Sequence, residues 1–168
     1  MTLLLVGRFT FVRRVLLMAA RAMVVWEDHN GIRIGAIVPQ GMDEALCKKR
    51  IKFALDLLDG LTPYRTSRMR RDVREVLCVP TGRNRALGAY VPIFRSCLID
   101  PWHVLDPETG PLDLAKTIVH ESIHARLHHG GIGRAGLSST RAEAICRRAE
   151  TDLERKFART AEAQRLEY

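Results

Sequence analysis

The pattern of apolar and polar positions predicts an alternation of strands and helices in the first half of the chain. Residues 31–39, GIRIGAIVP, alternate and are rich in isoleucine, which indicates a strand ending at Pro39. Residues 42–60 have acidic residues at their start, apolar residues at helical spacing and a terminal glycine, so they predict a helix. Residues 73–80 and 86–100 predict two strands around a turn at 81–85, and Pro92 indicates that the second is an edge strand or contains a bulge.

The second half predicts two helices. The first runs from Pro111, which suits a first turn, to about His129, where two glycines favour its end. The second begins near residues 138–140, where Thr140 and Glu143 have capping-box spacing, and continues almost to the end of the sequence. Residues 101–111 between strands and helices contain prolines and a glycine and predict a loop. This order predicts an α+β fold with helices packed on one face of a small mixed or antiparallel sheet.

Length and composition favour one globular domain over residues 1–168. The 168 residues are 46% hydrophobic, which is enough for a core. Residues 1–26 are basic and form a candidate peripheral N-terminal extension that is too interrupted for a transmembrane helix. The four cysteines form no C-x-x-C pair, so we expect reduced thiols in a cytoplasmic protein and no cysteine zinc site, with disulfides in an exported protein as the alternative.

The charge is basic, with 27 Lys and Arg against 19 Asp and Glu and a net charge of +8. A positive balance favours anionic partners such as nucleic acid, although it also serves solubility. Residues 63–76 contain five arginines, which predict either a phosphate-contacting patch or a solvated face: Arg65, Arg68, Arg70, Arg71 and Arg74.

The first helix of the second half contains the strongest chemical signal, HESIH at 120–124 within KTIVHESIHARLHHGG. His120 and His124 are four residues apart, so on a helix their imidazoles lie on one face and reach a single Zn²⁺. Glu121 is rotated by roughly 100° from His120, which suits a general base acting on water near the metal. The competing interpretation is an ordinary helix with these side chains in solvent or satisfied in the core.

A catalytic zinc ion needs a third protein ligand and an open position. Glu143 follows His124 by nineteen residues, and a glycine-containing loop could fold its helix back over the first. We therefore predict Glu143 as the third ligand, with His128 on the first helix as the second choice.

HExxH followed by a glutamate on the next helix resembles the zincin metallopeptidases, and most closely their gluzincin branch, over roughly residues 86–150. The resemblance implies that His120, His124 and Glu143 bind zinc and that Glu121 is the general base. It also implies that the strand GAYVPIF, 88–94, binds an extended peptide. Arg147 departs from the pattern, because the family has an aspartate there that orients a ligand histidine.

The predicted function is therefore a zinc-dependent metallopeptidase acting on a protein or peptide substrate. Two alternatives stay open at this point. One is a zinc-binding protein of the same fold without proteolytic activity. The other is a basic nucleic-acid-associated module in which the histidines are incidental.

Overall fold

A computed structural model describes residues 18–19, 21–81, 87–131 and 139–166. Within these residues the strands form one mixed sheet: β1 (Glu27–His29), β2 (Ile32–Ala36), β3 (Glu75–Cys78), β4 (Gly88–Val91) and β5 (Ser96–Ile99). Their order across the sheet is β1-β2-β3-β5-β4. The central strands β2, β3 and β5 are parallel, and β1 and β4 pair antiparallel with their neighbours at the two edges.

The described helices are α1 (Glu44–Leu61), α2 (Pro63–Asp72), α3 (Pro101–Leu105), α4 (Pro111–His129) and α5 (Ser139–Leu166). Helix α4 packs against α1, α2 and α5 and against strands β4 and β5. Sheet residues such as Ile34 and Val76 share one buried cluster with Ile51 of α1 and Ile118 of α4. The fold is thus α+β, and α4 lies at its centre.

Most predicted elements are confirmed. Strand β2 lies within 31–39 and β3 within 73–80, and α1 ends one residue beyond the predicted 42–60, while α4 spans residues 111–129 and α5 begins at residue 139. The sheet is mixed, as predicted, because β2, β3 and β5 pair in parallel while the edge strands pair antiparallel. Strand β4 lies at an edge of the sheet, as the proline at position 92 indicated. The predicted turn at 81–85 falls mostly outside the described residues.

Two local predictions are wrong. Residues 86–100 are not one strand but the hairpin β4–β5, because Pro92 begins a turn that ends at Arg95, which has a φ of 53°. Residues 101–105 are helical because Asp100 caps α3 by accepting a hydrogen bond from Trp102 N, and Pro101 occupies the first turn. Most of the arginine run is helix α2, which likewise begins at a proline.

The described part of the predicted N-terminal extension is attached to the sheet. Arg21 forms an ion pair of 2.6 Å with Glu75, whose side chain is fully buried. Glu75 also bonds Arg33 and accepts a hydrogen bond from the hydroxyl of Ser96. Residues 1–17 lie outside the described part of the chain. No helix among the described residues is both long and apolar enough to span a membrane.

Candidate metal centre and cleft

Helices α4 and α5 are joined by a ladder of charged and polar contacts. Lys116 pairs with Glu154, His120 with Glu150, and His124 with Glu143. Rising numbers on α4 meet falling numbers on α5, so the two helices run antiparallel. The HExxH segment therefore faces the segment that contains the predicted third ligand.

Three predicted ligands converge at the middle of this ladder. The Nε2 atoms of His120 and His124 lie 3.1 Å apart. The Glu143 carboxylate places one oxygen 3.3 Å from His120 Nε2 and the other 3.2 Å from His124 Nε2. Donor atoms in a tetrahedral site with bonds of 2.0–2.1 Å are separated by about 3.3–3.4 Å. The spacing is therefore that of ligands around one small cation, and the residues fit a zinc ion.

Cys146 is a further donor that the sequence pattern did not reveal. Its Sγ lies 3.7 Å from His124 Nε2 and 3.6 Å from the carbonyl oxygen of His120. His120, His124 and Cys146 form a cluster that could hold a metal ion, with all donor atoms within 4.8 Å of one another. Burial raises the pKa of the Cys146 thiol to about 12. Cys146 was missed because cysteine ligands were sought only in C-x-x-C spacing.

Glu121 is buried beside this cluster, with 7% of its surface exposed. Burial raises the pKa of its carboxyl to about 7, since charge is disfavoured away from water. The nearby His120 and a hydrogen bond from the Tyr90 backbone lower the pKa of Glu121, while the negative charge of Glu143 raises it further. A carboxyl group with this pKa can accept and return a proton near neutral pH.

Edge strand β4 lies directly against Glu121. A Cβ atom built on Gly88 would come within 2.9 Å of Thr117 Cγ2 and 3.1 Å of Glu121 Cγ, so a larger residue would require β4 or these side chains to shift. The other edge of β4 is unpaired among the described residues. The Tyr90 backbone on this edge donates a hydrogen bond to the Glu121 carboxylate, so the edge borders the helix that contains Glu121.

A cleft of about 800 Å³ opens over these groups. The clustered and buried polar side chains all line it: His120, Glu121, His124, Glu143 and Glu150. Leu87, Gly88 and His103 line it as well. The cleft is large enough for a small molecule or a few residues of a peptide.

His103 is a further polar side chain that lines the cleft and could stabilise developing negative charge there. Its Nε2 lies 3.1 Å from Thr117 Oγ1 and its Nδ1 lies 3.3 Å from Thr109 Oγ1. Because the Thr117 hydroxyl donates to the Asp113 carbonyl, the ring donates through Nε2 and accepts through Nδ1. Burial lowers the pKa of His103, which favours this neutral ring.

Three other polar side chains that could serve this role, those of Tyr90, Arg95 and Tyr64, lie elsewhere. The Tyr90 hydroxyl lies 2.8 Å from His129 Nε2, and Arg95 donates to the Asp72 carbonyl. Tyr64 is 73% exposed on α2. None of the three lines the cleft as described.

His128, the second choice for a third ligand, is not part of the cluster. Its ring packs edge-on against Tyr90, with centroids 6.3 Å apart, and no contact joins it to the clustered donors within the described residues. Glu150 instead supplies an acid that the sequence pattern did not place, with one oxygen 2.5 Å from His120 Nδ1. Its spacing of seven residues from Glu143, two helical turns, was the signal available in the sequence.

Three members of the arginine run are engaged within the molecule. Arg70 pairs with Asp59, Arg65 contacts Asp152 and the Ala149 carbonyl, and the Arg68 guanidinium lies over the Tyr64 ring. The Arg70 contact links α2 to α1 and the Arg65 contacts link it to α5, while the Arg68 contact lies within α2. The run therefore has a structural use that does not require a polyanion.

The chain matches no protein-family model, no curated protein and no solved structure. Any inference about its function must therefore come from the geometry of the cleft and the cluster.

Proposed function

We propose that the protein is a zinc-dependent metallopeptidase. The observation that supports this most directly is the convergence of His120 Nε2, His124 Nε2 and the Glu143 carboxylate at separations of 3.1–3.3 Å. Buried Glu121 lies beside them in the same cleft. Three protein donors with an open side toward a cleft are typical of catalytic zinc sites.

In this proposal the ligands are His120, His124 and Glu143, and the bound zinc supplies the Lewis acidity that makes water a nucleophile near neutral pH. Glu121 takes a proton from the attacking water while the water oxygen bonds to the scissile carbonyl carbon. The same carboxyl then gives the proton to the amide nitrogen as the C–N bond breaks. The products are one new carboxyl group and one new amine, and no redox step is involved.

A peptide substrate is favoured by the position of β4. No described strand pairs with the outer edge of β4, and its backbone groups other than the Tyr90 N–H, which bonds Glu121, could pair with an extended chain added as a further strand. The close approach at Gly88 keeps that edge next to Glu121. A scissile bond bound along β4 would therefore lie beside the general base.

A second candidate is a metal-binding protein without proteolytic activity, and Cys146 is the observation that favours it. The ideal distance between a thiolate and an imidazole nitrogen on one zinc ion is about 3.6 Å for bonds of 2.3 and 2.0–2.1 Å. Cys146 Sγ lies 3.7 Å from His124 Nε2. If both Glu143 and Cys146 bound the ion, four protein ligands would close the site as in structural zinc centres.

The decisive experiment combines metal analysis with the Glu121→Gln substitution. Purified wild-type protein should contain about one zinc per chain and should cleave fluorescently labelled casein. Glu121→Gln should keep the zinc and lose activity by about 100-fold or more, because the general base is removed. Glu108→Gln is a matched control, since Glu108 is an exposed carboxylate of the same cleft, and it should remain active.

Protein that neither contains nor takes up zinc would refute both candidates. Zinc in stoichiometric amount without cleavage of any peptide would favour the second candidate. Full activity in Glu121→Gln would remove Glu121 from the mechanism.

A further inference from the structure

The two nitrogens of the His120 ring face different partners. Nε2 points into the donor cluster, 3.1 Å from His124 Nε2 and 3.3 Å from Glu143. Nδ1 points away from the cluster and lies 2.5 Å from Glu150 Oε1. The ring is therefore held on both sides, and its orientation is fixed by a residue outside the proposed ligand set.

We infer that Glu150 is a positioning residue that prepares His120 to bind the metal, an inference that rests on the proposed function. A neutral imidazole carries its proton on only one nitrogen, and a carboxylate accepts hydrogen bonds but does not donate them. Glu150 lies 2.5 Å from Nδ1, much closer than the 3.3 Å between Glu143 and Nε2, so it holds the proton on Nδ1 and leaves the lone pair of Nε2 free to bind the metal. A carboxylate in this position also increases the basicity of the ligand.

Helix geometry explains why this acid occurs seven residues after Glu143 and not four. Both spacings return to the same face of a helix, but the longer one lies one turn further along α5. Because α5 runs antiparallel to α4, that turn is opposite His120. Arg147, four residues after Glu143, is exposed, so the basic side chain occupies solvent while Glu150 performs the orienting role.

Glu154 provides a control one turn beyond Glu150 in the same ladder. It pairs with Lys116, which lies one turn before His120, and it contacts neither nitrogen of the ring. Glu154→Gln removes a carboxylate from the α4–α5 interface without removing the partner of His120. A purely structural role for Glu150 would make Glu150→Gln and Glu154→Gln similar in every measurement.

The first measurement uses metal-free protein labelled with ¹⁵N-histidine, at about pH 8.5, two units above the ordinary histidine pKa of about 6.5. Long-range ¹H–¹⁵N correlations report which ring nitrogen carries the proton. In the wild type and in Glu154→Gln, His120 should be mainly the Nδ1–H tautomer. In Glu150→Gln the population should shift toward Nε2–H, since an amide can donate to Nδ1.

The second measurement is zinc affinity by competition with a chromophoric chelator. Glu150→Gln should weaken zinc binding by about 10–100-fold, the range for partners of metal-bound histidines, and Glu154→Gln should change it by less than about twofold. Glu150→Asp retains the charge with a shorter reach and should recover part of the loss. It also replaces Glu150→Gln if that variant does not fold.

The outcomes separate this inference from the proposed function. Wild-type protein that binds zinc, together with a Glu150→Gln variant that has the same tautomer and the same affinity, would overturn the role of Glu150 alone. Wild-type protein that binds no zinc would overturn the proposed function and the inference that rests on it.

Discussion

Gly88 and Glu121 are in contact across the interface of β4 and α4, and the contact leaves no room for a side chain on the strand. A Cβ atom at position 88 would lie 3.1 Å from Glu121 Cγ and 3.1 Å from the Leu98 carbonyl oxygen. The nearest atom, Thr117 Cγ2, would be only 2.9 Å away. The edge strand can therefore lie this close to the proposed general base because residue 88 is a glycine and has no Cβ atom.

Gly88→Ala should lower both stability and proteolytic activity while leaving zinc bound. The added methyl group must displace β4 or Glu121, at a cost of about 1–3 kcal/mol of unfolding free energy. Chemical denaturation and zinc analysis would test this. Gly60→Ala is the control, because nothing lies within 4 Å of its Cβ position on α1, and alanine there should stabilise by up to about 1 kcal/mol. Normal stability and activity in Gly88→Ala would show that the contact is not a constraint.

The third ligand can be identified with Cys146→Ser and Glu143→Ala. We expect Glu143→Ala to weaken zinc affinity by more than about 100-fold, beyond the range for a partner that only orients a ligand. Cys146→Ser should bind zinc almost as well as the wild type, because Glu143 lines the cleft and Cys146 does not. The cobalt-substituted wild type should then lack a thiolate charge-transfer band. A strong band that disappears in Cys146→Ser would assign the ligand to Cys146.

Glu75→Gln should destabilise the fold strongly even though Glu75 does not line the described cleft. Its side chain is fully buried and pairs with Arg21 and Arg33, so removing its charge leaves Arg21 without compensation. We expect a cost of about 3–5 kcal/mol in denaturant unfolding, as for other broken buried pairs. Arg33→Ala should cost less than about 1 kcal/mol, because the Arg33 side chain is 48% exposed. Equal costs would contradict the difference in burial.

The stability of the protein should fall at acidic pH partly because of His103. Burial lowers the pKa of His103 below its ordinary value of 6.5, so the unfolded chain takes up a proton at a higher pH than the folded protein does. The stabilising contribution is thus complete above pH 6.5 and is lost as pH falls through the lower folded pKa. His103→Gln should reduce the difference in unfolding free energy between about pH 8 and pH 5. An unchanged difference would exclude His103 as a source.

The long elements of the fold were predictable because local signals coincide with tertiary packing. Pro111 and the glycines after His129 bound α4 just as the sequence indicates, since both ends are set by backbone preferences. The hairpin at Pro92 and the parallel pairing of β3 with β5 were not predictable in the same way. They depend on which strands meet across the sheet, and alternation along one strand contains no information about its neighbour.

In the candidate site too, the features set within one helix were predictable and those that depend on tertiary pairing were not. The spacing of His120 and His124 follows from one helix, so their adjacency was predictable from the sequence. Glu143 required an assumption about how α5 returns, and the ion-pair distances to both imidazoles agree with it. Cys146 and Glu150 could not be placed, because their partners depend on the crossing and offset of two helices. Cys146 lies 22 residues along the chain from His124, and Glu150 lies 30 residues from His120.

If the cluster binds a metal ion as proposed, the antiparallel ladder between α4 and α5 links metal occupancy to the docking of α5. The unfolded chain has no preformed site, since the donors His124 and Glu143 meet only when the helices are docked. A metal ion at 100 times its dissociation constant would therefore stabilise the docked state by about 2.7 kcal/mol. Conversely, chelation would remove this contribution to the docking of α5, which would then rest on buried residues such as Leu153. The supply of free metal would thus govern the lifetime of the folded chain as well as the chemistry of its cleft.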